Sequence, residues 1–357
     1  HDVQKIKACF VLSAKALNRN QLELNKLMLN TLESVRFDEL DRIREIVSQK
    51  RARKEQSVTG QGHSLAMTAA SSGMSPAAAY SHRLSGLQGI KFIKELDDKL
   101  DNQSALQDLT NKFKAIHEKI LTAPRQFLLI AEDEILKELN SSLQTIWNKP
   151  VDTASFKTFN LPQVHKQLKQ AWVTSTQVNF CAKSYPTVPV EHEDAVALTV
   201  LGGFLRNGFL HRSIREQGGA YGGGASHEPT NACFRFYSYR DPRLEETLND
   251  FDASIDWLLN NEHEPEQLEE AILGVIGNID KPGSPAGEAK QAFHNNLHGR
   301  TAEQREAYRK RILGVTIDDI KRVAEKYLQP EKASIAVITH SGMESVVTEL
   351  GMEVIKL

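Results

Sequence analysis

Arg215 and Tyr221 are the residues whose types and spacing could do chemistry in this chain. A guanidinium offers donors in fixed geometry and keeps its proton at any working pH. A phenol offers one directed O–H. Between and beyond them runs Gly218-Gly219-Ala220-Tyr221-Gly222-Gly223-Gly224. So dense a glycine tract costs too much backbone entropy to fill an ordinary strand. It reads instead as a place where another backbone comes close. Two donors beside an open glycine backbone suit a peptide carbonyl that becomes an oxyanion. Gly218, Gly219, Gly222, Gly223 and Gly224 are then candidate substrate contacts. The bland alternative pairs Arg215 with Glu216 and lets Tyr221 simply pack.

The flanking elements must position this pair. Ala197, Val200, Leu201, Phe204 and Leu205 recur at the i, i+3, i+4 spacing of one apolar helix face. Glu191, Glu193 and Asp194 precede them, where the helix dipole favours negative charge. A short basic helical piece is expected over 211–215. After the glycines, residues 233–239 alternate as a strand, with Phe234 and Phe236 on one face and Arg235, Tyr237 and Tyr239 on the other. Asp241 and Pro242 read as N-cap and first residue of the next helix, which explains Arg240-Asp241-Pro242 without invoking substrate.

At 357 residues the chain can bury two cores. Lys plus Arg is 44 and Asp plus Glu is 46, so the near-neutral balance gives no case for nucleic acid or an anionic membrane as partner. No apolar run reaches the length of a membrane span. Cys9, Cys181 and Cys233 are far apart, each in an expected strand, and read as buried reduced thiols. The chain opens at His1 and enters an expected strand almost at once, as a fragment would.

Along the chain, residues 5–14 alternate as a strand. Helices are expected from Asn20, over 37–72, 76–100 and 102–121. Residues 127–130 read as a short buried strand, and Asp133 as the cap of a helix ending near Trp147. The stretch rich in Gly, Ser, Ala and Met over 60–76 suits close helix packing. Lys149-Pro150-Val151-Asp152-Thr153 is the best boundary, dividing the chain into 1–150 and 151–357. Residues 172–182 form an expected strand. Helices follow from Asp241 and Pro265, then over 286–297, 302–312, 316–328 and 343–350, with a buried strand at 335–338. The order strand, loop, helix from Phe10 repeats from Ala232, so the chain reads as two related units, the first lacking its front.

Other candidates are weaker. His294 and His298 have metal-ligand spacing on an expected helix, but no Glu follows His294. His192, His211 and His227 surround the central stretch, where partly buried, hydrogen-bonded histidine is the default. The glycines do not form a phosphate cradle, since no Gly-Lys-Ser/Thr follows them.

The segment Ile214-Arg215-Glu216-Gln217-Gly218-Gly219-Ala220-Tyr221-Gly222-Gly223-Gly224-Ala225, with Tyr237-Ser238-Tyr239-Arg240-Asp241-Pro242, resembles the C-terminal half of the presequence-protease branch of the pitrilysin/insulinase metallopeptidases. Residues 7–20, Gly62-His63-Ser64 and residues 87–96 extend the resemblance over nearly the whole chain. It implies an α+β fold of antiparallel-rich sheets covered by helices. Residues 1–150 would be a truncated third peptidase-type domain, mostly helical, and 151–357 a complete fourth.

The resemblance also implies a zinc-dependent endopeptidase whose two halves close around short unstructured peptides. Arg215 and Tyr221 would reach the scissile carbonyl. Zinc would sit on an inverted His-x-x-Glu-His motif, which this sequence lacks, so metal and partner belong to an N-terminal half and the chain alone would be inactive. The compartment would be bacterial cytoplasm or an organelle matrix. A non-catalytic scaffold subunit of the same superfamily is the alternative.

Overall fold

The computed structural model describes residues 2–149, 151, 153, 154 and 156–357. Pro150 and Asp152, in the expected boundary, lie outside the described residues. The first part is helical: α1 (Gln21–Glu33), α2 (Leu40–Ser71), α3 (Pro76–Leu84), α4 (Leu87–Asp97), α5 (Gln103–Leu121) and α6 (Asp133–Ile146). There follow β1 (Lys169–Val173), β2 (Phe180–Pro186), α7 (Ala195–Leu205), a π-helical continuation over Arg206–Gln217, β3 (Gly222–Glu228) and β4 (Cys233–Tyr239). The chain ends through α8 (Glu245–Asn260), α9 (Pro265–Ile279), α10 (Pro285–Leu297), α11 (Ala302–Leu313), α12 (Ile317–Tyr327), β5 (Ser334–Thr339), α13 (Glu344–Glu349) and β6 (Glu353–Lys356).

The described strands form one mixed sheet in the order β3-β4-β2-β5-β1-β6. Pairings around β3, β4, β2 and β5 are antiparallel, and those of β1 with β5 and β6 are parallel. The period of two sends alternate side chains to opposite faces. Cys181, Tyr185, Phe234, Phe236 and Val337 join the core under α7 and α8. Phe180, Ala182, Ala336 and Ile338 face α2. The fold is therefore α+β and antiparallel-rich, as the sequence implies, with both sheet faces covered.

Helix α2 lies flush on its face because its contact residues are small. Ala66, Ala69 and Ala70 are fully buried there. A Cβ on Gly62 would stand 2.5 Å from the Phe180 ring. Gln61, just before it, leaves helical geometry at φ −126° and kinks the helix.

Several expectations are corrected. Residues 5–14 and 127–130 form no strand; Phe10, Val11, Phe127 and Leu128 are exposed. A strand needs neighbours to satisfy its backbone and a face to bury, and neither segment has one among the described residues. Cys9 is accordingly exposed, while Cys181 and Cys233 are buried.

The expected strand over 172–182 is two strands. Thr176 breaks it with a local turn, its hydroxyl donating to the Val178 carbonyl at 3.0 Å and accepting from the Val178 N–H at 3.3 Å. Asp133 is the first residue of α6 and caps nothing; Glu132 precedes it without a side-chain cap. Asp241 does not cap α8 either, since that helix starts later, at Glu245, after Leu244. The glycines from 222 onward lie in an edge strand rather than before one. Strand β6 has no counterpart among the expected elements.

Candidate active site

The path from α7 to β4 builds the site. Asp194, fully buried at the start of α7, accepts from Arg322 at 2.7 Å, Lys326 at 2.9 Å and the Tyr327 hydroxyl at 2.7 Å. Burial pushes its carboxyl up, but the bonds from Tyr327, Lys326 and Arg322 outweigh this and hold it well below the usual carboxylate range. The helix start is thus tied to α12. Beyond Leu205 the helix widens to π geometry and carries Arg215 in its last turn. Such widened turns are concentrated at functional sites. At its end the chain reverses. The N–H groups of Gly219 and Ala220 donate back to the Arg215 and Ile214 carbonyls, both at 3.1 Å. Gly219 has φ +77°, a left-handed conformation that favours glycine.

Tyr221 follows directly. Its N–H is shared between the carbonyls of Tyr239 at 3.0 Å and Arg240 at 3.4 Å. Its ring meets Tyr239 edge-on, with centroids 5.6 Å apart at 85°. The side chain is 67% exposed. The Arg215 guanidinium lies over this ring, 5.9 Å from its centroid. Glu216 pairs instead with His211, at 3.3 Å. Among the described residues Arg215 has no ion pair and the Tyr221 hydroxyl no hydrogen bond. The two groups therefore share one exposed surface with their donors unspent.

The five glycines divide into two sets. A Cβ on Gly218 would overlap the Arg243 guanidinium, one on Gly223 would stand 2.8 Å from Ile214, and one on Gly224 3.1 Å from Arg206. These three are small because the protein's own side chains occupy the space. A Cβ on Gly222 would meet nothing within 4 Å, and one on Gly219 only Pro242 at 3.6 Å. Openness beside Tyr221 is thus found at Gly219 and Gly222. Strand β3 stands at the sheet edge, with only β4 beside it among the described strands.

The histidines near the site have structural partners. His227 bridges the Thr199 hydroxyl and the Val188 carbonyl, both at 3.2 Å, and burial lowers it to about 4. His192 accepts from the Asp194 N–H at 3.0 Å. His294 and His298 lie at the end of α10, and no group of three or more His, Cys, Asp or Glu among the described residues could hold a metal. Those residues offer no ligand set for zinc.

Two contributors escape sequence reasoning. Alternation puts Tyr239 on the correct face of β4, but its contact with Tyr221 depends on the bend at Arg240. His63, delivered by the kink of α2, stacks on Tyr239 at 4.8 Å and Tyr237 at 5.7 Å. Burial lowers its pKa. The only hint of it in the sequence is Gly62 beside it, which lets α2 approach the sheet.

Residues 1–96 match the family profile of a segment associated with subfamily C of the M16 peptidases, and residues 169–341 match "PreP C-terminal domain". The chain is 32% identical to the mitochondrial presequence protease of Yarrowia lipolytica, over 92% of this chain and 33% of that protein. It is 29% identical to that of Danio rerio, over 92% of this chain and 34% of that protein. It spans about a third of the length of these relatives. Among solved structures, pitrilysin superposes with a TM-score of 0.66 at 14% identity, covering 95% of this chain and 36% of that one. A peptidase M16 inactive domain from Pseudomonas fluorescens gives 0.58 at 15% identity, covering 91% and 76%.

The fold is thus that of the M16 peptidases, the pitrilysin/insulinase superfamily. Within it, the chain belongs to the presequence-protease branch and is a presequence-protease-like C-terminal half.

Proposed function

We propose that this chain is the C-terminal half of a zinc-dependent endopeptidase that degrades short unstructured peptides. In this reading Arg215 and Tyr221 hold the scissile carbonyl and stabilise the charge that develops on its oxygen. The observation that carries the proposal is the exposed juxtaposition of a guanidinium and a phenol, neither committed to a partner within the protein. Donors already oriented where charge will develop need no reorganisation during reaction. The open backbone at Gly219 and Gly222 lets a peptide lie close to the pair.

Zinc and the attacking group belong to an N-terminal half, which is the chain's partner. The two halves enclose the substrate, and enclosure restricts it to peptides that can enter unfolded. Residues 1–150 form a truncated third peptidase-type domain and 151–357 a complete fourth. The name of the relatives favours an organelle matrix as the compartment. Among the described residues no helix is long and apolar enough to cross a membrane. The scaffold alternative gains no specific observation, since a purely structural subunit has no use for an uncommitted Arg–Tyr pair at its surface.

The test is Tyr221→Phe in the full-length protein. It should cost about 2–4 kcal/mol of transition-state stabilisation, read from kcat/KM on an unstructured peptide. An unchanged kcat/KM would mean that Tyr221 only packs. This chain alone should show no peptide cleavage, and zinc-dependent turnover by the purified chain would refute the division of labour.

A further inference from the structure

Arg240 has the same unspent character as Arg215, one ring further along. Its guanidinium lies 5.5 Å from the centroid of Tyr239. Tyr239 in turn meets Tyr221 edge-on. Two Arg–Tyr pairs therefore adjoin through a Tyr–Tyr contact. Arg240 is exposed and has no ion pair among the described residues. The adjacent carboxylate, Asp241, does not serve it. That side chain is fully buried and accepts from the Arg243 N–H at 3.0 Å and the Thr247 hydroxyl at 2.8 Å.

The backbone at this position is unusual. Arg240 has φ +50°, a left-handed conformation that disfavours a side chain larger than that of Gly or Asn. It is held there by hydrogen bonds on both sides. The Asp241 N–H donates to the Asn179 carbonyl at 2.8 Å, and the Asn179 N–H donates to the Asp241 carbonyl at 2.7 Å. The Arg240 carbonyl receives the Tyr221 N–H. Strained backbone of this kind is concentrated at ligand clamps and active sites. The bend brings the Arg240 side chain back over Tyr239 instead of letting it extend from the end of β4.

We propose that Arg240 is a substrate-binding residue that takes a carboxylate of the bound peptide, close to the bond held by Arg215 and Tyr221. A planar guanidinium backed by an aromatic ring presents its fork to a carboxylate in two parallel hydrogen bonds. A neutral carbonyl would use only part of that fork. The carboxylate has two sources in a short peptide: an acidic side chain or the free C-terminus. This inference rests on the proposed role of Arg215 and Tyr221.

The experiment measures kcat/KM for the full-length protein on two pairs of quenched fluorescent peptides. One pair differs by Glu against Gln beside the cleaved bond, the other by a free against an amidated C-terminus. The wild type should prefer the carboxylate member of at least one pair. Arg240→Asn, whose side chain tolerates the left-handed backbone, should reduce that preference about fivefold or more. Arg240→Gly should do the same without strain, and Arg240→Lys should restore part of it. The pair that responds identifies the carboxylate's source. No preference in either pair, or a preference that survives Arg240→Asn and Arg240→Gly, overturns the assignment. Tyr221→Phe is run on the same peptides. If it lowers kcat/KM while the Arg240 variants leave the preference intact, only this inference fails. If it changes nothing, the reading beneath it fails.

Discussion

Strand β4 and the segment over 5–14 have similar alternating sequences and opposite fates. Phe234 and Phe236 are fully buried, with β3 on one side of their strand and β2 on the other. Phe10 is 63% exposed and Val11 73%, with no strand beside them among the described residues. Alternation decides which side chains would share a face; it does not supply the neighbour that makes a strand stable. The same holds between β5, whose Val337 and Ile338 are fully buried, and residues 127–130, where Phe127 and Leu128 are exposed. The two regions do agree in their helices: α1 follows the first segment as α8 follows β4.

The largest expected effect sharpens this contrast. Phe236→Ala should cost about 3–5 kcal/mol of unfolding free energy in chemical denaturation, because it empties a buried site. Phe10→Ala should cost under about 0.5 kcal/mol, as for an ordinary surface substitution. Comparable losses at both positions would mean that Phe10 is buried in solution and that the two regions do not differ as described.

Asp194→Asn comes next, at about 2 kcal/mol, since it removes a buried carboxylate bonded to two cations and a phenol. The carboxyl of Asp194 is held below its unfolded value, so the unfolded chain takes up the proton first. Its contribution is present above about pH 4 and is lost as pH falls below that value. The variant should lose part of the acid-side slope of stability. An identical slope in both proteins would show that Asp194 is not held ionised by α12.

The smallest effect separates neighbouring glycines. Gly223→Ala should destabilise by about 1–3 kcal/mol, because the added methyl meets Ile214. Gly222→Ala meets open space and should change stability by no more than about 0.5 kcal/mol. It should still raise KM in the full-length protein if peptide backbone passes there. A Gly222→Ala variant with wild-type KM would remove Gly222 from the substrate contacts.

Much of the architecture is legible because long helices and buried strands write strong periodic patterns. Residues 233–239 match β4, residues 37–72 cover α2, and the small residues over 60–76 do allow α2 to pack tightly on the sheet. Strand β3 is illegible because glycine has no side chain to alternate. The π-helical continuation is illegible because hydrogen bonding from i to i+5 leaves no mark that residue types reveal. Strand β6 is short and half-exposed. Arg215 and Tyr221 are legible as types, and the structure brings them onto one surface. Their link through Tyr239 to His63 and Arg240 is not, because it depends on a helix kink and a left-handed turn far apart in sequence.

The most direct test of the central claim is a double-mutant cycle on Arg215→Ala and Tyr221→Phe in the full-length protein, read in kcat/KM. If both groups grip one carbonyl, each single change should lower kcat/KM by about a hundredfold, and the double variant should lose less than the product of the two, with a coupling of at least about 0.5 kcal/mol. Losses that simply multiply, or single variants that match the wild type, would contradict a shared grip on the scissile bond.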